Sequence, residues 1–235
     1  MTKVLLPRKL KDLQMAKSKR VGKKPSAFID CDGVLRNTFP HVISIFMREY
    51  TYSRFSSKIQ QFDYDLKSVI PDPVFCEFFP EKGVGKHTQE VFEDAPLIES
   101  DISSTLEQLS QTHDLYLVTA QKKEWQSFTL SFLKNNHIES FFSAIYFAPL
   151  LGNHGLKKDI YHKVGFDKNS FVIEDSPQNL LDAKNEYLRA IAFDQKYNTV
   201  WSGERITSLK DVVNNLTSDG VVKAFPSSMN HYWKL

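Results

Sequence analysis

Two cysteines in 235 residues leave no basis for a disulfide framework. Cys31 lies in an apolar run between two aspartates, so a buried, reduced thiol in a cytoplasmic protein is the simplest expectation. Long apolar runs are missing too. No stretch approaches the roughly 18 residues of a membrane span, and Val4-Leu5-Leu6 is too short for the apolar core of a signal peptide. A membrane partner is therefore not expected. There is no internal repeat and no low-complexity tract. A full glycine-rich phosphate loop is also lacking. Gly83-Val84-Gly85-Lys86 has only part of the Gly-x-x-x-x-Gly-Lys-Ser/Thr pattern, and no strand leads into it. The chain is 41% hydrophobic and 25% charged, enough for one globular core, alone or with an insertion.

Charge is unevenly spread. Residues 1–24 hold nine Lys/Arg against Asp12 alone, whereas the remainder has 21 Lys/Arg and 27 Asp/Glu. A basic arm can attract nucleic acid or phosphorylated ligands. The favoured reading is a solvated, partly helical leader that ends at Pro25. The rest of the chain is net acidic and should repel polynucleotide.

The stretch Phe28-Ile29-Asp30-Cys31-Asp32-Gly33-Val34-Leu35 organises the rest of the chain. Alternate residues of a strand share a face, so Asp30 and Asp32 emerge together as a strand over Ala27–Cys31 runs out. Two carboxylates this close repel each other unless a cation or an acid–base role keeps them there. A surface turn could also contain Asp-x-Asp-Gly, but a buried strand delivering the pair argues against that. Beyond it, Val42, Ile45, Phe46 and Tyr50 keep helical spacing. Residues 51–96 then lose regularity, rich in Phe and broken by Pro71, Pro73 and Pro80. This predicts an irregular, partly helical insertion.

Alternation resumes with Ile102, Leu106 and Leu109 on one helical face, then a strand Leu115–Val118 ending at Thr119-Ala120. Trp125, Phe128, Phe132 and Leu133 mark the next helix. After it come a strand at Ala144–Phe147, a loop through Gly152 and Gly155, and a helix starting near Lys157. Phe171–Ile173 predicts a strand closing at Glu174-Asp175-Ser176, with Pro177 suited to a first helical turn. Leu180, Leu181, Tyr187 and Leu188 are expected to face inward. Ala190–Phe193 is the fifth strand, and Leu209, Val212, Val213 and Leu216 make the last helix. Such alternation implies a doubly wound, Rossmann-like parallel α/β sheet covered on both faces. Ligands of such sheets bind beyond the carboxyl ends of the strands. Asp30, Asp32, Thr119, Glu174 and Asp175 all fall there, and Lys157-Lys158 opens a neighbouring helix. Taken singly, each has a structural explanation. Gathered at one sheet edge, they suit a phosphate and a divalent cation.

The arrangement resembles the haloacid dehalogenase superfamily of phosphohydrolases over roughly residues 25 to 216. Four motifs carry the resemblance: Phe28–Asp32, Leu115–Thr119, Lys157 or Lys158, and Val172-Ile173-Glu174-Asp175-Ser176-Pro177. Lys157 is preferred because Lys157-x-Asp159-Ile160-Tyr161 fits a common form. The resemblance implies that Asp30 attacks phosphorus and forms an aspartyl-phosphate, with Asp32 as general acid and base. It also implies Mg²⁺, held by Asp30, the Asp32 carbonyl and Asp175, with Glu174 nearby. Thr119, Ala120 and the lysine would bind the phosphoryl oxygens. Where some members carry a further acid, this chain has Asn179.

An insertion directly after the first motif is one place where this superfamily carries a cap. The layout implied is a basic arm (1–24), a core (25–35 and 97–218), a small, mostly helical cap (36–96) and a tail (219–235). The chain is further similar to the 5′(3′)-deoxyribonucleotidase branch, through the cap position and the segments Phe193–Asn198 and Arg205–Ser208. The expected substrate is thus a small phosphorylated metabolite, specifically a nucleoside monophosphate. Alternatives are a sugar-phosphate phosphatase or mutase-like enzyme, and a nucleic-acid end phosphatase gripping polynucleotide through residues 1–24. A non-catalytic binding module is disfavoured, since every element of the hydrolytic site has a candidate residue.

Overall fold

The computed structural model describes residues 3–4, 24–50, 66, 70, 72–151 and 154–215. Its centre is a seven-stranded sheet in which every pairing is parallel. The strands are β1 (Lys3–Val4), β2 (Ser26–Ile29), β3 (Asp114–Ala120), β4 (Phe142–Ala148), β7 (Phe171–Glu174), β8 (Arg189–Phe193) and β9 (Glu204–Ile206). A separate antiparallel pair, β5 (Leu150–Leu151) and β6 (His154–Gly155), comes directly after β4.

The spatial order is β1-β4-β3-β2-β7-β8-β9. From β2 the chain builds outward through β3 and β4, then returns to β7 and builds outward on the other side. The direction of winding therefore reverses between β2 and β7, where α/β sheets open a crevice at the carboxyl ends of their strands. Both acidic pairs sit at that reversal.

Strand alternation sends apolar side chains to both faces of the sheet. Ala27, Ile29, Leu115, Leu117, Ile145, Phe171, Ile173, Ile191 and Phe193 pack in one cluster with Ile102, Leu106, Leu109, Phe132, Leu133 and Val212. These come from the helices Ile102–Thr112, Gln126–Asn135 and Leu209–Asn214. The opposite face gathers Phe28, Val118, Tyr146, Val172, Ala190 and Ala192 against Tyr161, Leu180 and Ala183. Those last three lie on the helices Lys158–Val164 and Pro177–Asn185. Each large apolar side chain buried this way contributes about 1.5–3 kcal/mol. Among the described residues, no helix is long and apolar enough to cross a membrane.

The described parts of 36–96 are helical at Thr38–Glu49, Asp72–Phe78 and Thr88–Phe92. Their apolar residues Val42, Ile45, Phe46, Leu66, Ile70, Phe78, Val91 and Phe92 form a third cluster, closed by Trp125 from the core. The two chain crossings into this segment run side by side. The Asn37 N–H donates to the Pro96 carbonyl (2.9 Å), the Ile98 N–H donates to the Leu35 carbonyl (2.9 Å), and Arg36 bridges Leu97 antiparallel.

Several expectations need correction. Strand β2 ends at Ile29, although the Asp30 N–H still donates to the Ile173 carbonyl (3.0 Å). Lys3–Val4 of the basic arm pairs with Ala144 and Ile145 as an edge strand, so at these two residues the leader is extended rather than helical. Glu204–Ile206 is a strand without a sequence signal, too short for periodicity to register. Leu181 is 44% exposed and Tyr187 is 97% exposed, against their expected inward placement. The helix stops at Asn185, and Tyr187 takes a left-handed φ of 59°. The N–H groups of Tyr187 and Leu188 donate to the Lys184 and Ala183 carbonyls, both at 3.0 Å, a Schellman closure. That turn swings Leu188 into the core and Tyr187 out. Leu216, the remaining tail and residues 5–23 of the arm lie outside the described residues.

Candidate active site

At the end of β2 the Asp30 side chain is nearly closed off from water, at 8% exposed. Its Oδ1 lies 2.8 Å from Lys157 Nζ. Lys157, 3% exposed, directly precedes the helix Lys158–Val164, and its Nζ also donates to Glu174 Oε2 at 2.5 Å. Glu174 closes β7. Its other oxygen, Oε1, accepts the backbone N–H groups of Asp175 and Ser176, each at 3.2 Å. Asp175 is buried too. The Tyr197 hydroxyl donates to its Oδ2, and Asn198 Nδ2 donates to its carbonyl at 2.9 Å.

Three carboxylates are thus buried together, and the one buried ammonium among them, Lys157, pairs with Asp30 and Glu174. Burial, and then the neighbouring Glu174 charge, push the Asp30 carboxyl well above the usual carboxylate range. Asp175 is raised by burial, then by Glu174 and Asp30. Glu174 goes the other way: burial pushes it up, but the charge and hydrogen bond of Lys157 prevail and hold it low. The same carboxylates raise the Lys157 ammonium despite its burial. Uncompensated buried charge is costly, so one more cation would suit this place. The donor set agrees, because Asp30, Glu174 and Asp175 each offer a carboxylate oxygen, all within 4.8 Å of one another. Such an all-oxygen set fits a hard divalent ion such as Mg²⁺. Glu174 already serves Lys157 and two backbone N–H groups, which makes Asp30 and Asp175 the better placed donors.

Asp32 is set apart, with 21% of its side chain exposed. Its Oδ1 accepts Arg36 Nη2 (2.8 Å), Arg36 Nε (3.0 Å) and the Thr38 hydroxyl. Gly33, the residue after Asp32, has φ +74°, where a side chain is strained. A Cβ there would overlap Asp175 Oδ2 and lie 2.8 Å from the Tyr197 hydroxyl. The glycine of Asp-x-Asp-Gly therefore lets two motifs approach.

Thr119 is fully buried, and its hydroxyl has no hydrogen-bond partner among the described residues. Ala120 next to it is half-buried. The lysine pair divides cleanly: Lys157 joins the carboxylates while Lys158 is exposed. Asn179 is buried, with its Oδ1 also unpartnered.

Four residues had no role in the sequence reading. Tyr197, Asn198 and Gln195, whose Nε2 donates to the Gly33 carbonyl at 2.8 Å, buttress the aspartate loops. They belong to Phe193–Asn198, a segment that drew notice as a pattern without a stated contact. Arg36 is the fourth. A lone basic residue straight after Val34-Leu35 was the available signal.

No protein-family model matches the chain, and no curated protein matches it either. Solved structures do. A haloacid dehalogenase-like hydrolase from Streptococcus pneumoniae superposes with TM-score 0.54 at 17% identity, covering 83% of this chain and 99% of its own. The HAD-hydrolase YfnB from Bacillus subtilis, solved bound to magnesium, gives TM-score 0.54 at 14% identity, covering 82% and 98%. A haloacid dehalogenase-like hydrolase from Xanthomonas campestris gives 0.53 at 10% identity, covering 84% and 92%. At such identities the likeness speaks for architecture. This chain has the fold of the haloacid dehalogenase-like hydrolases.

Proposed function

We propose that the protein is a Mg²⁺-dependent phosphomonoesterase that works through an aspartyl-phosphate on Asp30, with nucleoside monophosphates as its preferred substrates. One observation carries the reading: Asp30, Glu174 and Asp175 lie buried with carboxylate oxygens within 4.8 Å of one another at the reversal of the sheet, Lys157 pairs with the first two, and Asp32 is two residues from Asp30.

Asp30 supplies the nucleophile, so that one difficult displacement becomes two easier ones. Its carboxylate must be ionised to attack, and the nearby Lys157 ammonium favours that form. Bound at Asp30, Asp175 and the Asp32 carbonyl, Mg²⁺ would offset the charge of a dianionic phosphate against these carboxylates. Lys157, the unpartnered Thr119 hydroxyl and the Ala120 N–H would hold the phosphoryl oxygens. Asp32 would protonate the leaving oxygen, then take a proton from the attacking water. Glu174 would act as the counter-ion that keeps Lys157 in place.

The nucleotide preference rests on the similarity of Phe193–Asn198 and Arg205–Ser208 to the deoxyribonucleotidase branch. The aromatics among the described residues of the insertion lend it no separate support, because they pack on one another or on the core. Phe92 and Trp125 are 5.1 Å apart, and Phe78 and His87 are 4.6 Å apart. The test is a panel of nitrophenyl phosphate, 5′- and 3′-nucleotides, sugar phosphates and 5′-phosphorylated DNA, with Mg²⁺ and with chelator. Metal-dependent phosphate release, fastest from a nucleoside monophosphate, is expected. Faster release from a sugar phosphate or a DNA end would move the substrate assignment, and turnover in chelator would contradict the metal role.

A further inference from the structure

Arg36 has no exposed surface, and its guanidinium lies between two rings, 5.1 Å from the centroids of Phe92 and Phe132. Nη1 donates to the Phe92 carbonyl and to Thr129 Oγ1 (3.1 Å), and Nε donates to Thr38 Oγ1 (3.2 Å). Among the described residues its carboxylate partner is Asp32. A buried guanidinium is ordinarily explained as structural, fastening one segment to another. Here it does fasten them, since Phe92 ends an insertion helix and Thr129 belongs to the core helix Gln126–Asn135. The geometry at Asp32 goes further. Arginine usually meets a carboxylate side by side, one N–H on each oxygen. In this pair both Nε and Nη2 point to Oδ1, and the Thr38 hydroxyl donates to that same oxygen.

Three donors on Oδ1 have a chemical consequence. Oδ1 is occupied by these three N–H and O–H groups, which leaves Oδ2 as the oxygen through which Asp32 can exchange a proton with a partner outside the network. The rest of the network keeps this orientation. Thr129 Oγ1 accepts from Arg36, which leaves its single proton to donate to Gln121 Oε1 at 2.9 Å, in the loop after β3.

We propose that Arg36 is a positioning residue for proton transfer: with Thr38 it fixes Asp32 Oδ1 and presents Oδ2 to the leaving group. The inference rests on the reading of Asp32 as the general acid. Arg36 touches no substrate and acts through Asp32 alone.

Single-turnover rates on two phosphate esters separate the possibilities. Nitrophenolate leaves without help, whereas an alkyl alkoxide needs a proton from the acid. Arg36→Met keeps the bulk without the charge. It should slow the alkyl ester about 10- to 100-fold, within the range that general acid catalysis supplies, and leave the nitrophenyl ester nearly unchanged. In an Asp32→Asn background the same substitution should cost nothing further, because the residue it positions is already disabled. If Arg36→Met does not fold, as judged by circular dichroism, Thr38→Val removes another donor to Oδ1. It should give the same leaving-group selectivity. Equal losses on both esters, or losses that add to those of Asp32→Asn, would make Arg36 merely structural and overturn the inference alone. A wild-type protein that hydrolyses no phosphate ester would instead overturn the hydrolase reading, and the inference with it.

Discussion

Lys157 stands between Asp30 and Glu174 with almost no access to water. Lys157→Met would strand two buried carboxylates without their cation, and breaking such a pair costs about 3–5 kcal/mol. Urea unfolding at pH 7 in chelator should show that loss. It should shrink as the pH falls, because Asp30, already pushed up by burial, protonates and sheds its charge. Lys158→Met should stay within about 0.5 kcal/mol of wild type and keep turnover, since that side chain is exposed. Similar effects at both positions would undo the assignment of the lysine. Gly33→Ala should be worse for activity than for stability. The left-handed backbone alone costs about 1–2 kcal/mol, while the new methyl collides with Asp175. At this scale the acidic residues were legible in the sequence, because like charges at the end of an apolar run need a reason to be there. Tyr197 was not, nor was the burial of Arg36 against Phe92 and Thr129 that seats it beside Asp32, because only the folded chain creates these contacts.

Helix faces carry the next lesson. Leu106 and Leu181 both looked like core residues by spacing, yet Leu106 is fully buried and Leu181 is 44% exposed. Leu106→Ala should cost about 2–5 kcal/mol through lost burial and the cavity left behind. Leu181→Ala should stay within about 0.5 kcal/mol, and chemical denaturation of both variants checks the contrast. The long helix Ile102–Thr112 gave periodicity enough turns to fix its face. Pro177–Asn185 is short and ends in a left-handed turn at Tyr187, so extrapolating its spacing to residue 187 misplaced that residue. The buried central strands were legible as apolar runs. The edge strands Lys3–Val4 and Glu204–Ile206 were not, being two and three residues long and defined by pairing with β4 and β8.

For the molecule as a whole, the charge imbalance at the sheet reversal links metal, pH and stability. Asp30 and Asp175 have folded-state pKa values above their unfolded ones. Without metal the folded state is therefore favoured while both are protonated, and it loses stability as pH rises through those raised values. A divalent cation needs the ionised forms, so it binds more tightly as the same protons leave. The stabilisation by Mg²⁺, read as the difference in unfolding midpoint with metal and with chelator, should therefore grow from pH 5 to pH 8. A difference independent of pH would contradict the acidic cluster as the metal site. Glu174 works in the opposite sense. Its lowered value contributes stability that is present at neutral pH and lost only in acid.

Everything proposed for catalysis passes through the carboxylate of Asp30, so its modification is the sharpest test. The wild-type protein would be mixed with a nitrophenyl or nucleotide phosphate and Mg²⁺, quenched in acid within one turnover, and digested for mass spectrometry. The account predicts a phosphate adduct on the peptide containing Asp30, absent in Asp30→Asn and absent when metal is chelated before mixing. Phosphate release by Asp30→Asn at the wild-type rate, with no adduct in either protein, would contradict it.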